Sequence, residues 1–257
     1  MFVIVPLCMV FYYGLTDKSG AFTLDNILAI ATAEHSKALW EALKLSVIST
    51  VICLLLAYPL AMILCNMNVN QNSFLVLIFI LPMWMNFLLR TYAWMSILEN
   101  HGFLNQILAL VGIGPLHIIN TDAAVILGMV YNFLPFMILP IYSVIVKLDH
   151  SLIEAARDLG ANSVQVFRRV IFPLSVPGVI SGIMMVFIPS ISTFAISKLL
   201  GGGMSFLLGD LIEMQFLGSA YNPHLGSAIS LMMLLLVIIA MLIMNRFGDG
   251  EEGAVMM

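Results

Sequence analysis

Residues 147–173 read KLDHSLIEAARDLGANSVQVFRRVIFP, a polar stretch between two long apolar runs, 123–146 and 170–197. Ser151 followed by Glu154 has the spacing of a capping box, in which two side chains and two backbone N–H groups satisfy one another and start a helix. Leu152 to Leu159 gives about two turns, and Gly160 can take the left-handed conformation that stops them. Asn162 or Ser163 then caps a second helix, which carries Arg168 and Arg169 to the edge of the next apolar run at Val170. So short a helix is marginal by itself and needs something to dock against. Ala155 and Ala156 keep its middle thin, while Leu152, Ile153 and Leu159 offer contact area. The same pattern describes an amphipathic loop helix packed on its own bundle, and the residues alone leave both readings open.

The apolar runs on either side set the class of protein. Of 257 residues, 61% are hydrophobic and 9% are charged, with a mean hydropathy of +1.07. Soluble domains carry roughly 45–50% apolar and about 25% charged residues. Ten Lys and Arg with 14 Asp and Glu are too few to cover a water-soluble globule of this length. Disordered, collagenous, coiled-coil and disulfide-rich secreted classes fail on the same composition. A net charge of −4 and a pI near 5.6 offer no basic patch for nucleic-acid phosphates. The chain reads as an all-α integral membrane protein.

A helix needs roughly 20 mostly apolar residues to cross a hydrocarbon core of about 30 Å. Uncharged runs of that order predict six spans, at about 1–15, 45–65, 73–97, 123–146, 170–197 and 226–244, in one domain covering 1–257. The first is short and has no basic residue ahead of it, which reads as a span with a missing upstream flank rather than a signal peptide. Six spans place both termini on one side. The odd connections 16–44, 90–122 and 198–224 hold Lys18, Lys37, Lys44, Arg90 and Lys198. The even connections and tail, 66–72, 147–169 and 245–257, hold Lys147, Arg157, Arg168, Arg169 and Arg246 in about half the length. Positive density therefore favours 147–169, and with it both termini, on the cytoplasmic side.

Seven of the ten prolines, Pro59, Pro82, Pro135, Pro140, Pro173, Pro177 and Pro189, fall in or beside these spans. Each removes a helix hydrogen bond and invites a kink. Carbonyls freed at membrane depth are tolerated where they face protein or a wet cavity, so a kinked bundle suits a pathway better than an anchor. Cys8, Cys53 and Cys65 lack a C-x-x-C pair or a His cluster and read as apolar packing residues. The five His residues, 35, 101, 117, 150 and 224, have no ligand spacing and read as surface; the 19 Met residues read as span filler. No metal site or catalytic residue is expected.

Glu154-Ala155-Ala156-x3-Gly160, then nine residues, then Val170-Ile171-Phe172-Pro173 resembles the EAA loop of ABC-importer permeases, E-A-A-x3-G-x9-I-x-L-P, with two conservative apolar exchanges. The resemblance covers most of the chain. Asn86-Phe87-Leu88-Leu89-Arg90-Thr91-Tyr92-Ala93-Trp94, Leu134-Pro135-Phe136-Met137, Leu148-Asp149 and Gly209-Asp210-Leu211-Ile212-x2-Gln215-Phe216 are similar to the spermidine/putrescine permeases, and among their paired subunits to the B type. The charge-free 66–72 loop and the acidic tail Asp249-Gly250-Glu251-Glu252 depart from that pattern.

The resemblance implies a type I importer permease fold of six transmembrane helices in the bacterial inner membrane. It implies that Glu154, Ala155, Ala156, Arg157, Asp158, Leu159 and Gly160 form a coupling helix seated in a cytoplasmic ATPase, with Glu154 capping and Gly160 turning the chain. Two copies of that ATPase bind ATP and Mg. This chain has no G-x-x-x-x-G-K-[ST] phosphate loop and is not expected to be an enzyme. A second homologous permease, giving a heterodimer, and an external polyamine-binding protein complete the implied assembly; membrane lipids surround it. A polycationic cargo calls for carboxylates and aromatic faces. Tyr92, Trp94, Glu99, Asp122, Tyr131, Asp210 and Glu213, near span ends, are the candidates. The odd loops hold eight acids against five bases, which favours a cation on that side.

Each candidate also has a plainer reading. Tyr92 and Trp94 fit interfacial anchors, and Asp210 and Glu213 fit solvated loop carboxylates. Arg90 fits either a lipid-headgroup anchor or a charge partner of Glu99 or Asp122. Asn132, Ser190, Ser192 and Thr193 fit helix-to-helix hydrogen bonds. Another small solute of the same importer class is the alternative cargo, although between the span limits only Arg90 would serve an anion. An intramembrane protease lacks its motifs: Leu207-Leu208-Gly209-Asp210 misses the first glycine of G-x-G-D. A scaffold or receptor leaves the Glu154–Gly160 helix without a purpose.

Overall fold

The computed structural model describes residues 4–30, 32–66, 81–112, 114–203, 206–218 and 221–248. It is helical almost throughout; among the described residues the one isolated bridge pairs Thr16 with Phe22. Four described helices are long and apolar enough to cross a membrane: His35–Cys65, Asp122–Ile145, Ser163–Ser192 and Pro223–Met244.

Apolar runs and helix limits coincide in some places and part in others. The run at 123–146 is the helix Asp122–Ile145, almost residue for residue. The run at 45–65 lies inside a much longer helix, Ala33–Asn66. Its start lies upstream because Lys37, Ala38, Leu39, Glu41, Ala42, Leu43 and Lys44 are strong helix formers whether or not they are apolar. Lys44 is held there by Glu41 at 3.0 Å and Asp122 at 3.4 Å. The run at 226–244 lies in Pro223–Gly248, opened by a proline whose missing N–H costs nothing in a first turn.

Two expected spans lie partly outside the described residues. Within 1–15 the described helix is Ile4–Gly14, 11 residues or about 16 Å, which is less than a hydrocarbon core. Residues 73–80 of the 73–97 expectation lie outside the described residues; its described part includes the helix Phe87–Leu98. The 170–197 expectation also needs correction at its end. The helix stops at Ser192, and Ala195–Leu200 is a separate element. Pro189 and the Ser192 hydroxyl, which donates to the carbonyls of Ile188 (3.1 Å) and Pro189 (3.3 Å), loosen the last turn before β-branched Thr193.

The chain forms two compact units. The first comprises 1–49, 88–129 and 188–240. Its core includes Leu45, Leu98, Val125, Met129, Ile191, Ile196, Leu200, Leu208 and Ile229, all essentially inaccessible. His224 ties the start of the last helix to the end of the first, its Nδ1 lying 2.7 Å from the Thr16 carbonyl and 3.0 Å from that of Tyr13. His224 is therefore half-buried structure rather than surface.

The second unit comprises 50–87, 130–187 and 241–257. Cys53, Ala57, Ala61, Met137, Ile138, Ile141 and Val186 fill its core. Gly178 and Gly182, spaced as G-x-x-x-G, let two helices close on each other. A Cβ at 178 would stand 2.9 Å from the Pro140 carbonyl oxygen, and one at 182 would stand 2.7 Å from Met137 Sδ. Cys53 and Cys65 are unbridged, and their thiols face the carbonyls of Val130 and Tyr142.

Candidate functional site

The loop after Ile145 is organised by backbone hydrogen bonds at both ends of one short helix, His150–Asp158. Its N-cap is Asp149, whose carboxylate accepts the Ser151 N–H at 2.9 Å. That bond, aided by the Ser151 side chain, holds the Asp149 carboxyl below the usual carboxylate range. The expected box of Ser151 and Glu154 is therefore replaced. Asp caps as well as Ser does and adds a negative charge at the positive end of the helix. Starting from Asp149 puts Ser151 inside the first turn and leaves Glu154 exposed, with no part in the cap.

At the other end Gly160 has φ +82°, as its glycine predicts. Its N–H donates to the Arg157 carbonyl at 2.8 Å, and that of Ala161 to the Ala156 carbonyl at 3.0 Å. This nested pair is a Schellman motif, which satisfies the last carbonyls and fixes the exit direction of the chain. Asn162, rather than Ser163, caps the next helix. Its side chain accepts the Gln165 N–H at 2.9 Å, and the Gln165 side chain accepts the Asn162 N–H at 2.9 Å.

No residue of His150–Asp158 is buried. Ile153 is half-buried and lines a cavity of about 60 Å³ with Met62, Cys65, Ile145, Leu148 and Ile171. Leu152 is 48% exposed and Leu159 89%, with Glu154 and Ala155 also exposed. One side of the helix thus rests on its own unit while Leu152, Glu154, Ala155 and Leu159 stand free of it. Downstream, Phe167–Ile171 is a π-helical turn that bears the exposed Arg168 and Arg169.

The seven residues expected to line a path are spread over several elements. Tyr92 is 47% exposed on Phe87–Leu98, Trp94 is half-buried on the same helix, and Glu99 is exposed just past its end. Asp122 opens Asp122–Ile145 and pairs with Lys44; Tyr131, in the second unit, is 37% exposed. Asp210 and Glu213 share the helix Leu208–Leu217. Neither is simply solvated. Glu213 pairs with Lys198 at 2.8 Å, which raises the lysine pKa. Asp210 is buried, accepts the Leu207 N–H at 2.8 Å, and is pushed up to about 6 by desolvation. Arg90 is buried as well, which removes the headgroup-anchor reading. No group of three or more His, Cys, Asp or Glu residues among the described ones is placed to hold a metal.

Sequence reasoning missed Tyr58, Phe167 and Ser175. The Tyr58 hydroxyl lies 2.6 Å from Ser175 Oγ, and its ring meets Phe167 edge-on at 5.5 Å. Tyr58 and Ser175 are 117 positions apart, so no local pattern announces them. The Gly178-x3-Gly182 spacing was available as a signal of close helix approach.

The family model described as binding-protein-dependent transport system inner membrane component matches residues 27–250. The chain is 39% identical over 253 residues to the spermidine/putrescine transport system permease protein PotB of Haemophilus influenzae, covering 95% of this chain and 88% of that protein. It is 37% identical over 254 residues to the protein of the same name from Escherichia coli, covering 96% and 92%. Its fold is similar to that of a chain in a bacterial ABC transporter involved in the import of the acidic polysaccharide alginate, with a TM-score of 0.82, 16% identity, and coverage of 97% of this chain and 90% of that one.

Proposed function

We propose that this chain, which belongs to the family of binding-protein-dependent transport system inner membrane components, is the permease subunit of an ATP-driven importer that passes spermidine or putrescine into the cytoplasm by alternating access. It is a multi-pass inner-membrane transport subunit and not itself an enzyme. The observation that carries the proposal is the loop helix. It is capped at both ends within its own sequence and rests on the bundle through Ile153. Yet it leaves Leu152 and Leu159 exposed. A helix so firmly framed and so little buried is built to be gripped from outside.

In this reading Glu154 to Gly160 seat in a cytoplasmic ATPase, two copies of which bind ATP and Mg. A second, homologous permease pairs with this one, and a binding protein outside the membrane delivers cargo. The whole of 1–257 is one permease domain of six spans, with 147–169 and both termini cytoplasmic. The crowding of Lys147, Arg157, Arg168 and Arg169 into that one loop supports its side. The relatives at 37–39% identity carry the name spermidine/putrescine permease, which supports the cargo. Tyr92, Trp94, Glu99, Asp122, Tyr131, Asp210 and Glu213 supply carboxylates and aromatic faces along the path. At Glu213 an ammonium, that of Lys198, already rests on a carboxylate. A polyamine would make the same contact.

The test is purification through a tag on this chain, then reconstitution of the complex in proteoliposomes with a panel of loaded binding proteins. A polyamine-loaded binding protein should stimulate ATP hydrolysis and uptake. Stimulation by another loaded protein and not by the polyamine one would overturn the cargo; absence of any associated ATPase would overturn the importer reading. Glu213→Gln should raise the apparent KM for polyamine, and an unchanged KM would remove Glu213 from the path.

A further inference from the structure

We propose that Tyr58 is a positioning residue that carries the stroke of the loop helix into the Ala33–Asn66 helix; the proposal rests on the importer reading above. All the groups involved lie in the second unit. Tyr58 is 8% exposed, and its neighbour in sequence is Pro59, inside the same helix. Pro59 donates no N–H and displaces the Leu55 carbonyl, so that helix is softened one residue beyond Tyr58.

A second soft point lies across from it. The chain leaving the loop helix is held by the Gly160 motif and the Asn162–Gln165 box, then passes through the π turn Phe167–Ile171. Pro173 follows directly, and its ring competes for the place of the Arg169 carbonyl. A π turn is a common site of functional bending. Left unsupported, this joint would absorb a push from the loop helix by flexing.

Tyr58 spans the joint. Its ring packs edge-on against Phe167, the first residue of the turn, at 5.5 Å, and at a tilt against Phe172, just past the turn, at 6.0 Å. The Ser175 hydroxyl donates to the Phe172 carbonyl at 2.9 Å, so the Tyr58 O–H is the donor in the 2.6 Å contact with Ser175. One side chain thus holds both ends of the joint and transfers their displacement to the helix bearing Pro59. Ile153 lines one small cavity with Met62 and Cys65 of the same helix end. The ring contact and the cavity both lie at residues 58–65 of that helix.

The reconstituted complex tests this with Tyr58→Leu, Tyr58→Phe and Ser175→Ala, measuring polyamine carried per ATP hydrolysed and the stimulation of ATPase by loaded binding protein. Loss of the ring should cut transport per ATP by about fivefold or more, in the range of ordinary inter-site coupling, while basal hydrolysis persists. Tyr58→Phe should produce a smaller loss and Ser175→Ala a loss at least as large as that, since it also removes the bond to the Phe172 carbonyl; the double variant should lose no more than Ser175→Ala alone, because both remove the Tyr58–Ser175 bond. A parent-like ratio in Tyr58→Leu would overturn the proposal, as would parallel loss of transport and basal ATPase. If Tyr58→Leu fails to assemble, Tyr58→Phe and Ser175→Ala decide: a parent-like ratio in both refutes it. A parent complex with no stimulated ATPase would instead remove the importer reading, and this proposal with it.

Discussion

Substitution of Gly160 isolates one physical quantity. Its φ of +82° lies in the left-handed region, yet a Cβ built there would meet nothing within 4 Å. A side chain at 160 is therefore opposed by backbone strain and not by a clash within this chain. An ordinary L-residue loses about 1–2 kcal/mol in that conformation, a β-branched one more, and Asn least. Against this stand the two Schellman hydrogen bonds, worth about 1 kcal/mol each in net terms. For valine the strain matches or exceeds the bonds, so the turn should open and the chain should no longer reach Asn162 in the right direction. For asparagine the bonds should prevail. The expected order of uptake in proteoliposomes is Gly, then Asn, then Ala, with Val lowest, at equal amounts of membrane-inserted protein. Parent-like transport by Gly160→Val would refute the argument. An order set by size, with Ala better than Asn, would equally refute it by showing that a docking partner needs the space.

Three further outcomes follow from the geometry. Asp149→Asn keeps an acceptor for Ser151 N–H while Asp149→Ala does not, so amide exchange across 150–158 should quicken in the second only. Because that carboxyl is held low, its cap is present at neutral pH and weakens as pH falls through the lowered pKa; a cap insensitive to Asp149→Ala but sensitive to Glu154→Ala would reverse the assignment. Gly178→Ala should cost about 1–3 kcal/mol by overpacking, since its Cβ would stand 2.9 Å from the Pro140 carbonyl oxygen and from Val144 Cγ2, whereas at Gly182 the only atom under 3 Å among the described residues is the Met137 sulfur of a flexible side chain, with Met137 backbone no nearer than 3.2 Å, so Gly182→Ala should cost less. Equal melting losses in the purified complex would contradict this. Asp210→Asn keeps an oxygen for Leu207 N–H and discards a charge that burial opposes. With the folded pKa raised to about 6, the ionised form costs stability progressively from about pH 4 and fully above pH 6. The variant should gain roughly 2–3 kcal/mol over the parent at pH 8 and nothing near pH 4; the same gain at both pH values would dismiss desolvation as the cause.

Local chemistry explains why the loop helix was readable. Its start, its glycine stop and the following cap are all set by residues within three or four positions of one another. Reading Ser151 as the cap instead of Asp149 was an error between two equally good caps two residues apart, which only the hydrogen bond itself resolves. Span limits were less readable for a different reason. Hydropathy reports where lipid is tolerated, while helix propensity reports where the backbone stays coiled. At 33–44 the two disagree because Glu41, Lys37 and Lys44 are poor in lipid and good in helix.

Tertiary facts had no local signature. Asp210 looks like any loop carboxylate until the Leu208–Leu217 helix turns it inward onto the Leu207 N–H. Tyr58 looks like span filler until Ser175 arrives beside it. The scarcity of charge sharpens both cases. In a chain with 24 charged residues, a carboxylate that is buried and an arginine that is buried are exceptions to the composition. A bilayer protein keeps such exceptions at a cost of a few kcal/mol each unless they are satisfied. The loop helix, by contrast, costs the fold almost nothing: its caps are made from its own sequence and it buries no residue. Its ordering without burial means that little free energy opposes its displacement as a rigid piece. What resists displacement lies next to it: the half-buried Ile153 beside its cavity and, downstream, the packing of Phe167 on Tyr58. In the importer reading proposed above, a partner that grips Leu152 and Leu159 would act on the second unit from that helix.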